Sequence, residues 1–270
     1  IMPYEEKKKH INYTETPLVS VITPSYNSAA FLSECIQSVL QQTYTHWEQI
    51  IVDDASTDTS VEIAQNLADK DARIKVIQLS ENKGAAFCRN KATETAQGDY
   101  IAFLDSDDLW HPEKLAKQIA LMEKQRTSVC FSSYVHIDEA GNPLKKRVVA
   151  LPSLSYQKQH TNNYIGNLTG IYHARSLGKI FSPNIRKRQD WAVWLEAIKK
   201  SGQVAVGIQE DLAFYRVRKG SMSSSKVKLV KYNFQFYRNY LKYSWGKSVV
   251  CLLRFFWEYF LVRPKYIKKL

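Results

Sequence analysis

Asp105, Asp107 and Asp108 follow directly on the apolar segment Tyr100–Leu104, in the run Phe103-Leu104-Asp105-Ser106-Asp107-Asp108. A short apolar segment of this kind reads as a buried strand, so the three carboxylates would leave the sheet together. Like charges that close repel one another, and a bound cation is the usual compensation. Hard oxygen ligands with coordination positions to spare suit Mg²⁺ or Mn²⁺, and these ions commonly accompany phosphate oxygens. The chemistry indicated is metal-assisted work on a phosphorylated substrate. The same residues are also ordinary turn and helix-capping types, with His111-Pro112-Glu113 behind them as a helix start. Taken alone, the run leaves both readings open.

The elements that must position these residues alternate along the chain. Apolar, β-rich runs at Val19–Thr23, Gln49–Val52, Ile74–Leu79, Tyr100–Leu104 and Val129–Tyr134 read as strands. Helical patterns lie between them at Phe31–Gln42, Ser60–Asp69, Ala85–Ala96 and Pro112–Gln125, and Thr59-Ser60-Val61-Glu62 has capping-box spacing. Alternation of this kind predicts an α/β fold with a mainly parallel central sheet flanked by helices, and ligands beyond the strands' C-terminal ends. Polar residues gather at those ends: Pro24-Ser25-Tyr26-Asn27, Asp53-Asp54 and Asp105–Asp108. No GxGxxG or GxxxxGK[ST] follows any of these strands. The backbone-amide cradle used by dinucleotide and P-loop proteins is therefore missing, and a bound diphosphate would need its charge neutralised by other means.

Beyond the fifth strand the pattern loosens. Glu139–Pro143 is a turn signal between extended runs, helical character returns at Gln189–Ile198, and a strand is expected at Leu212–Val217. Residues 218–225, rich in serine and glycine, read as a surface loop from which Arg216 and Arg218 could reach a diphosphate, or remain solvated cations. The chain divides into a polar N-terminal extension (1–17), a catalytic body (18–225, with halves 18–110 and 111–225) and a helical tail (226–270).

Formal net charge is +12 over 270 residues, and the tail holds most of it: eleven lysines and arginines against Glu258 alone, with thirteen of the 33 aromatic residues. Cations beside apolar surface suit an interfacial helix on an anionic membrane. Val227, Val230, Phe234, Tyr237 and Leu241 would form its apolar arc, while packing against the body or a second subunit remains the alternative. Val249–Val262 is too interrupted by charge to span a bilayer. Nucleic acid is a poor fit, since no reading motif is present. Cys35, Cys88, Cys130 and Cys251 show no metal spacing and read as free thiols in a reducing compartment; the six histidines show no ligand spacing either. Met2–Thr16 has no signal-peptide pattern.

Five motifs in order carry a resemblance. They are Val19–Asn27 (VSVITPSYN), Ile50–Asp58 (IIVDDASTD), Asn82–Ala86 with Arg89-Asn90, Asp105–Asp108, and Arg188-Gln189-Asp190-Trp191. Over about residues 18–225 the chain resembles the inverting bacterial glycosyltransferases of family 2, which have the GT-A fold. It looks closest to those building teichuronic acid, capsule and O-antigen repeats. The resemblance implies a UDP-sugar donor, a polyprenyl-diphosphate-linked saccharide acceptor, and Mn²⁺ or Mg²⁺ as cofactor. It also implies a peripheral place on the inner face of the cytoplasmic membrane.

Residue by residue, the resemblance puts Pro24, Tyr26, Asn27 and Asp54 around the base, with Gly84 and Arg89 beside base and ribose. Asp105 and Ser106 would approach the ribose, and Asp107 would bind the metal on the two phosphates. Asp190 would be the catalytic base, with Arg188, Gln189, Trp191 and Thr169 on the acceptor side. Physical chemistry is compatible with these roles. A carboxylate can pair with uracil N3–H as an acceptor. Inversion by single displacement needs one base and no second nucleophilic carboxylate. A helix N-terminus favours the carboxylate form of Asp190. Two other classes remain beside this one: a nucleotidyltransferase, disfavoured because Pro24-Ser25-Tyr26-Asn27 occupies the place of a phosphate loop, and a non-catalytic sugar-nucleotide-binding scaffold.

Overall fold

A computed structural model describes residues 16–218 and 226–269, the side chains at 226–229 excepted. Most of the N-terminal extension and most of the serine-rich segment 218–225 lie outside the described residues, as does the side chain of Val227. Strands β1 (Val19–Ser25), β2 (Trp47–Asp53), β3 (Ile74–Gln78) and β4 (Tyr100–Phe103) run parallel in the order β3-β2-β1-β4. Helices α1 (Leu32–Leu40), α2 (Ser60–Ala68) and α3 (Ala85–Thr95) make the crossovers. Leu32, Cys35, Ile36 and Val39 of α1 recur at helical spacing, and all are buried against the sheet. The capping box expected at Thr59 is not made: Asp58 receives the Ser60 N–H at 3.0 Å instead, and the same carboxylate receives Ala29 N–H at 3.1 Å. Capping and loop anchoring thus fall to one carboxylate.

The sheet continues beyond β4 in a different sense. After β5 (Leu109–Trp110), α4 (Lys114–Gln125), β6 (Val129–Ile137), β7 (Pro143–Val148), β8 (Ser153–Leu154) and α5 (Tyr156–Thr161), the three-residue β9 (Ile171–His173) inserts antiparallel between β4 and β6. The short helix α6 (Ala174–Leu177), α7 (Gln189–Ser201) and β10 (Ala205–Arg216) follow. The expected parallel order therefore holds for the first half and gives way to antiparallel pairing at the joint. Strand β10 runs parallel to β6 and antiparallel to β5, and this last pairing brings the Asp105–Asp108 loop against the end of β10.

At the joint, a Cβ added to Gly170 would fall 2.3 Å from the ring of Trp194, which is fully buried. Only a glycine lets the chain entering β9 lie on that indole. Gly170→Ala should lower stability by about 1–3 kcal/mol, read by chemical denaturation; an unchanged midpoint would count against this packing.

Helices α8 (Lys226–Gln235) and α9 (Trp245–Trp257) each run on into a wider turn, at Phe236–Tyr240 and Glu258–Val262. Strand β11 (Ile267–Lys268) then pairs with β7. These helices pack on α7. Trp191 stacks on Phe236 with ring centroids 4.4 Å apart, and Tyr237 and Phe255 close around it. Tyr237 is fully buried here, so the apolar arc expected on α8 is core-facing at that position rather than free for a membrane. Among the described residues no helix is long and apolar enough to cross a membrane, and all four cysteines are free and buried.

Candidate active site

The ends of β1 and β2 form one wall. Ser25 pairs with Asp53 across the two strands and Pro24 with Val52, so both loops leave the sheet at the same level. Asn27 stitches those loops: its N–H donates to Ser56 Oγ at 2.9 Å, and its side-chain oxygen accepts from Thr57 N–H at 2.9 Å. Asp53 holds the turn by accepting from Ser56 N–H and Oγ–H. Tyr26 is half exposed beside them.

Asp54 is buried and accepts the N–H groups of Lys83 and Gly84 at 2.7 and 2.9 Å, one on each oxygen. A carboxylate has acceptor capacity beyond those two bonds. Gly84 has φ +86°, a region that favours glycine, and no heavy atom lies within 4 Å of where its Cβ would be.

The three clustered carboxylates separate. Asp105 accepts from Arg89 at 2.7 Å, Asp107 pairs with Arg218 at 2.8 Å, and Asp108 turns inward to accept the Arg216 N–H at 2.9 Å. Among the described residues no group of three or more His, Cys, Asp or Glu converges on a point that could hold a metal. The carboxylates that leave the sheet together do not share one point: backbone turning between Asp107 and Asp108 sends their side chains to different partners. Burial, then the charge of Asp105, pushes the Asp107 carboxyl up from the usual carboxylate range; burial, then Asp107 and Asp105, pushes Asp108 well above it.

Ser106 is buried, its hydroxyl 2.7 Å from that of Ser28. Arg216 also departs from expectation. Its buried guanidinium bonds Asp107 O at 2.8 Å, Glu139 O at 2.7 Å and the Glu34 carboxylate at 2.5 Å. Those bonds fasten the carboxylate loop to α1 and to the β6–β7 turn, and leave Arg216 unable to reach a diphosphate from where it stands. Arg218, beyond the strand end, is more exposed and meets Asp107 at the surface.

The second wall is the start of α7. Arg188 is its N-cap with φ +72°, so Asp190 lies in the first turn rather than at the cap. Asn163 donates to Asp190 Oδ2 at 2.7 Å. Arg89 spans both walls, reaching Asp105 with one guanidinium nitrogen and Gln189 Oε1 with another at 3.2 Å. Burial lowers the Arg89 pKa, but Asp105 and then Asp190 outweigh it, and the group is held above the usual arginine value.

The remaining acceptor-side expectations divide. Arg188 donates to Asn233 Oδ1 at 2.7 Å and so joins α7 to the tail. Trp191 is fully buried with its indole N–H given to Gln159 O, and Thr169 is buried with its hydroxyl given to Gly166 O. Both therefore act in the core and present no free polar group to an acceptor. Asn163, Ser28 and Glu34 were not singled out by sequence, because each acts through partners distant in the chain.

A divalent cation suits this donor set in a limited way. Asp107 is a mostly buried carboxylate under repulsion from Asp105, with part of its side chain still accessible. Magnesium-type ions commonly bind one or two carboxylates and fill their other positions with substrate phosphates and water. Asp107 would hold such an ion, and Asp108 would not.

Comparison with known proteins gives the family and the fold. The sequence model of Glycosyl transferase family 2 matches residues 20–181. TuaG of Bacillus subtilis strain 168, named as a teichuronic acid biosynthesis glycosyltransferase, is 45% identical over 239 residues, 88% of this chain and 94% of TuaG. WfgD of Escherichia coli, named UDP-Glc:alpha-D-GlcNAc-diphosphoundecaprenol beta-1,3-glucosyltransferase, is 37% identical over 214 residues, 79% of this chain and 83% of WfgD. In three dimensions the chain is similar to S. aureus TarS 1-349, solved with UDP-GlcNAc. The TM-score is 0.70 at 23% identity, over 92% of this chain and 74% of that one, which speaks to the GT-A fold. The chain belongs to glycosyltransferase family 2, and it is a glycosyltransferase.

Proposed function

We propose that the protein transfers glucose, galactose or an N-acetylhexosamine, with inversion, from a UDP-sugar to a saccharide linked through diphosphate to a polyprenol. The reaction belongs to bacterial surface polysaccharide assembly, O-antigen or capsule, at the inner face of the cytoplasmic membrane. One observation carries the reading: Arg89 ties Asp105 at the end of β4 to Gln189, next to Asp190, so donor and acceptor walls share one hydrogen-bonded frame. The name of WfgD supports the donor and acceptor class.

In this reading Asp54, Tyr26 and Gly84 receive the base, while Asp105 and Ser106 face the ribose. Asp107 would hold Mn²⁺ or Mg²⁺, which when bound compensates charge on the departing diphosphate. Arg218 stands at the same carboxylate, with positive charge to offer. Asp190 takes the proton from the acceptor hydroxyl, and Asn163 keeps its second oxygen oriented. Rigid placement matters because a misplaced base loses much of its effect.

A panel of UDP-sugars assayed against synthetic lipid-diphosphate GlcNAc and GalNAc is expected to show one productive pair, with a β-linked product by NMR. Transfer only from GDP- or dTDP-sugars, or retention at the anomeric carbon, would overturn the proposal.

A further inference from the structure

Helix α9 turns an apolar row outward. Val250, Leu253, Trp257, Phe260 and Leu261 are each between 49% and 65% exposed, and Trp245 at the start of the helix is 68% exposed. Ser248, Cys251, Phe255 and Glu258 on the other face are buried, and Phe255 meets Trp191 with ring centroids 5.9 Å apart. Scattered exposed apolar side chains are normal, but a contiguous row along one helix marks a contact surface.

Charge selects the occupant. Lys247 and Arg254 are exposed beside the row, with Lys265 and Lys268 just beyond it. The one acid from residue 226 onward, Glu258, is buried against Tyr164 and Lys158. Every exposed charged side chain described from residue 226 onward is therefore positive. A second copy of the chain would bring cation against cation, whereas an anionic leaflet complements both features. Two tryptophans near the ends of α9 suit headgroup depth. The helix cannot span the bilayer, but laid flat its 13 residues cover about 20 Å of surface.

We propose that the Trp245–Leu261 face seats the enzyme on an anionic bilayer, inserted to the boundary between headgroups and acyl chains. The inference deepens the proposed function and rests on its lipid-linked acceptor. The opposite face of the same helix packs on Trp191, the neighbour of Asp190, so bilayer seat and candidate base share one packed layer. An acceptor sugar held at the membrane surface is thereby brought towards the start of α7.

The test is sedimentation of the full chain with vesicles of phosphatidylcholine alone, and with phosphatidylcholine and phosphatidylglycerol in equal parts. The wild type should bind the anionic vesicles, and Leu253→Ser/Trp257→Ser should weaken that binding by more than about tenfold. Lys247→Glu/Arg254→Glu should weaken it as well and reduce its sensitivity to salt. This charge pair keeps the test open should the apolar pair fail to fold. Binding of wild type to neither vesicle, or unchanged binding of both variants, overturns the proposal. So does a dimer that only Leu253→Ser/Trp257→Ser dissociates, without vesicle binding, since that assigns the face to a second copy. Transfer to a water-soluble, short-chain acceptor separates this seat from the transferase reading. The folded apolar variant should retain it, whereas vesicle binding with no transfer from any UDP-sugar would sink the proposed function and leave the seat standing.

Discussion

Asp190→Asn is expected to leave UDP-sugar affinity unchanged and to lower turnover by about 10²–10⁴-fold. The substitution keeps the shape of the side chain, and its amide oxygen can still accept from Asn163, which now bonds Asp190 Oδ2 at 2.7 Å. What the amide cannot do is take a proton from an acceptor hydroxyl. Asp190 is linked to the donor wall through its neighbour Gln189, which bonds Arg89, and through its charge on Arg89, so the pocket proposed at Asp54 and Gly84 should register little of the change. Binding would be followed by titration with UDP-sugar and transfer by single-turnover assay. Substantial residual turnover would exclude Asp190 as the base.

Asp107→Ala is expected to abolish the stimulation of UDP binding by Mn²⁺ and to cost on the order of 10³-fold in rate, the scale of several kcal/mol of charge compensation. Donor binding itself should not vanish. Arg218, now 2.8 Å from Asp107 Oδ2, loses its partner in the variant and keeps a positive charge at the same place. Calorimetric titration of UDP with Mn²⁺ and with chelator separates the two contributions. Equal affinity under both conditions in the wild type would remove the metal from Asp107 altogether.

The first half of the fold was legible because β1, β2 and β4 are fully buried and each of the four strands carries a short apolar, β-rich stretch. Expected and observed β1 to β4 differ only at their ends. The order of the site motifs was legible for the same reason, since strand ends fix where Asp54 and Asp107 emerge. Strand β9 was not. Three residues carry no periodicity, and their partners in β4 and β6 are remote in sequence. Arg216 and Arg218 have the same residue type two positions apart, yet one is a buried fastening and the other a surface cation. What decides between them is whether β10 is still paired at that position. Trp191, expected on the acceptor side, lies in the core because Phe236, Tyr237 and Phe255 enclose the indole from a segment whose packing partner no local pattern reveals. Asn163 was invisible because its role is a single bond across a fold.

The placement of β9 also bears on how the chain is made. While the protein is being synthesised, β1 to β4 can assemble as soon as they emerge, because their mutual pairings are all available. The outer edge of β4 must then wait for residues 171–173, and until they arrive it is an open row of unpaired amides and carbonyls. Such edges invite association between nascent chains, and long-range pairings of this kind are intrinsically slow. A translation product stopped between residues 104 and 170 is therefore a sticky half-sheet, and cutting the chain there would leave the edge of β4 bare.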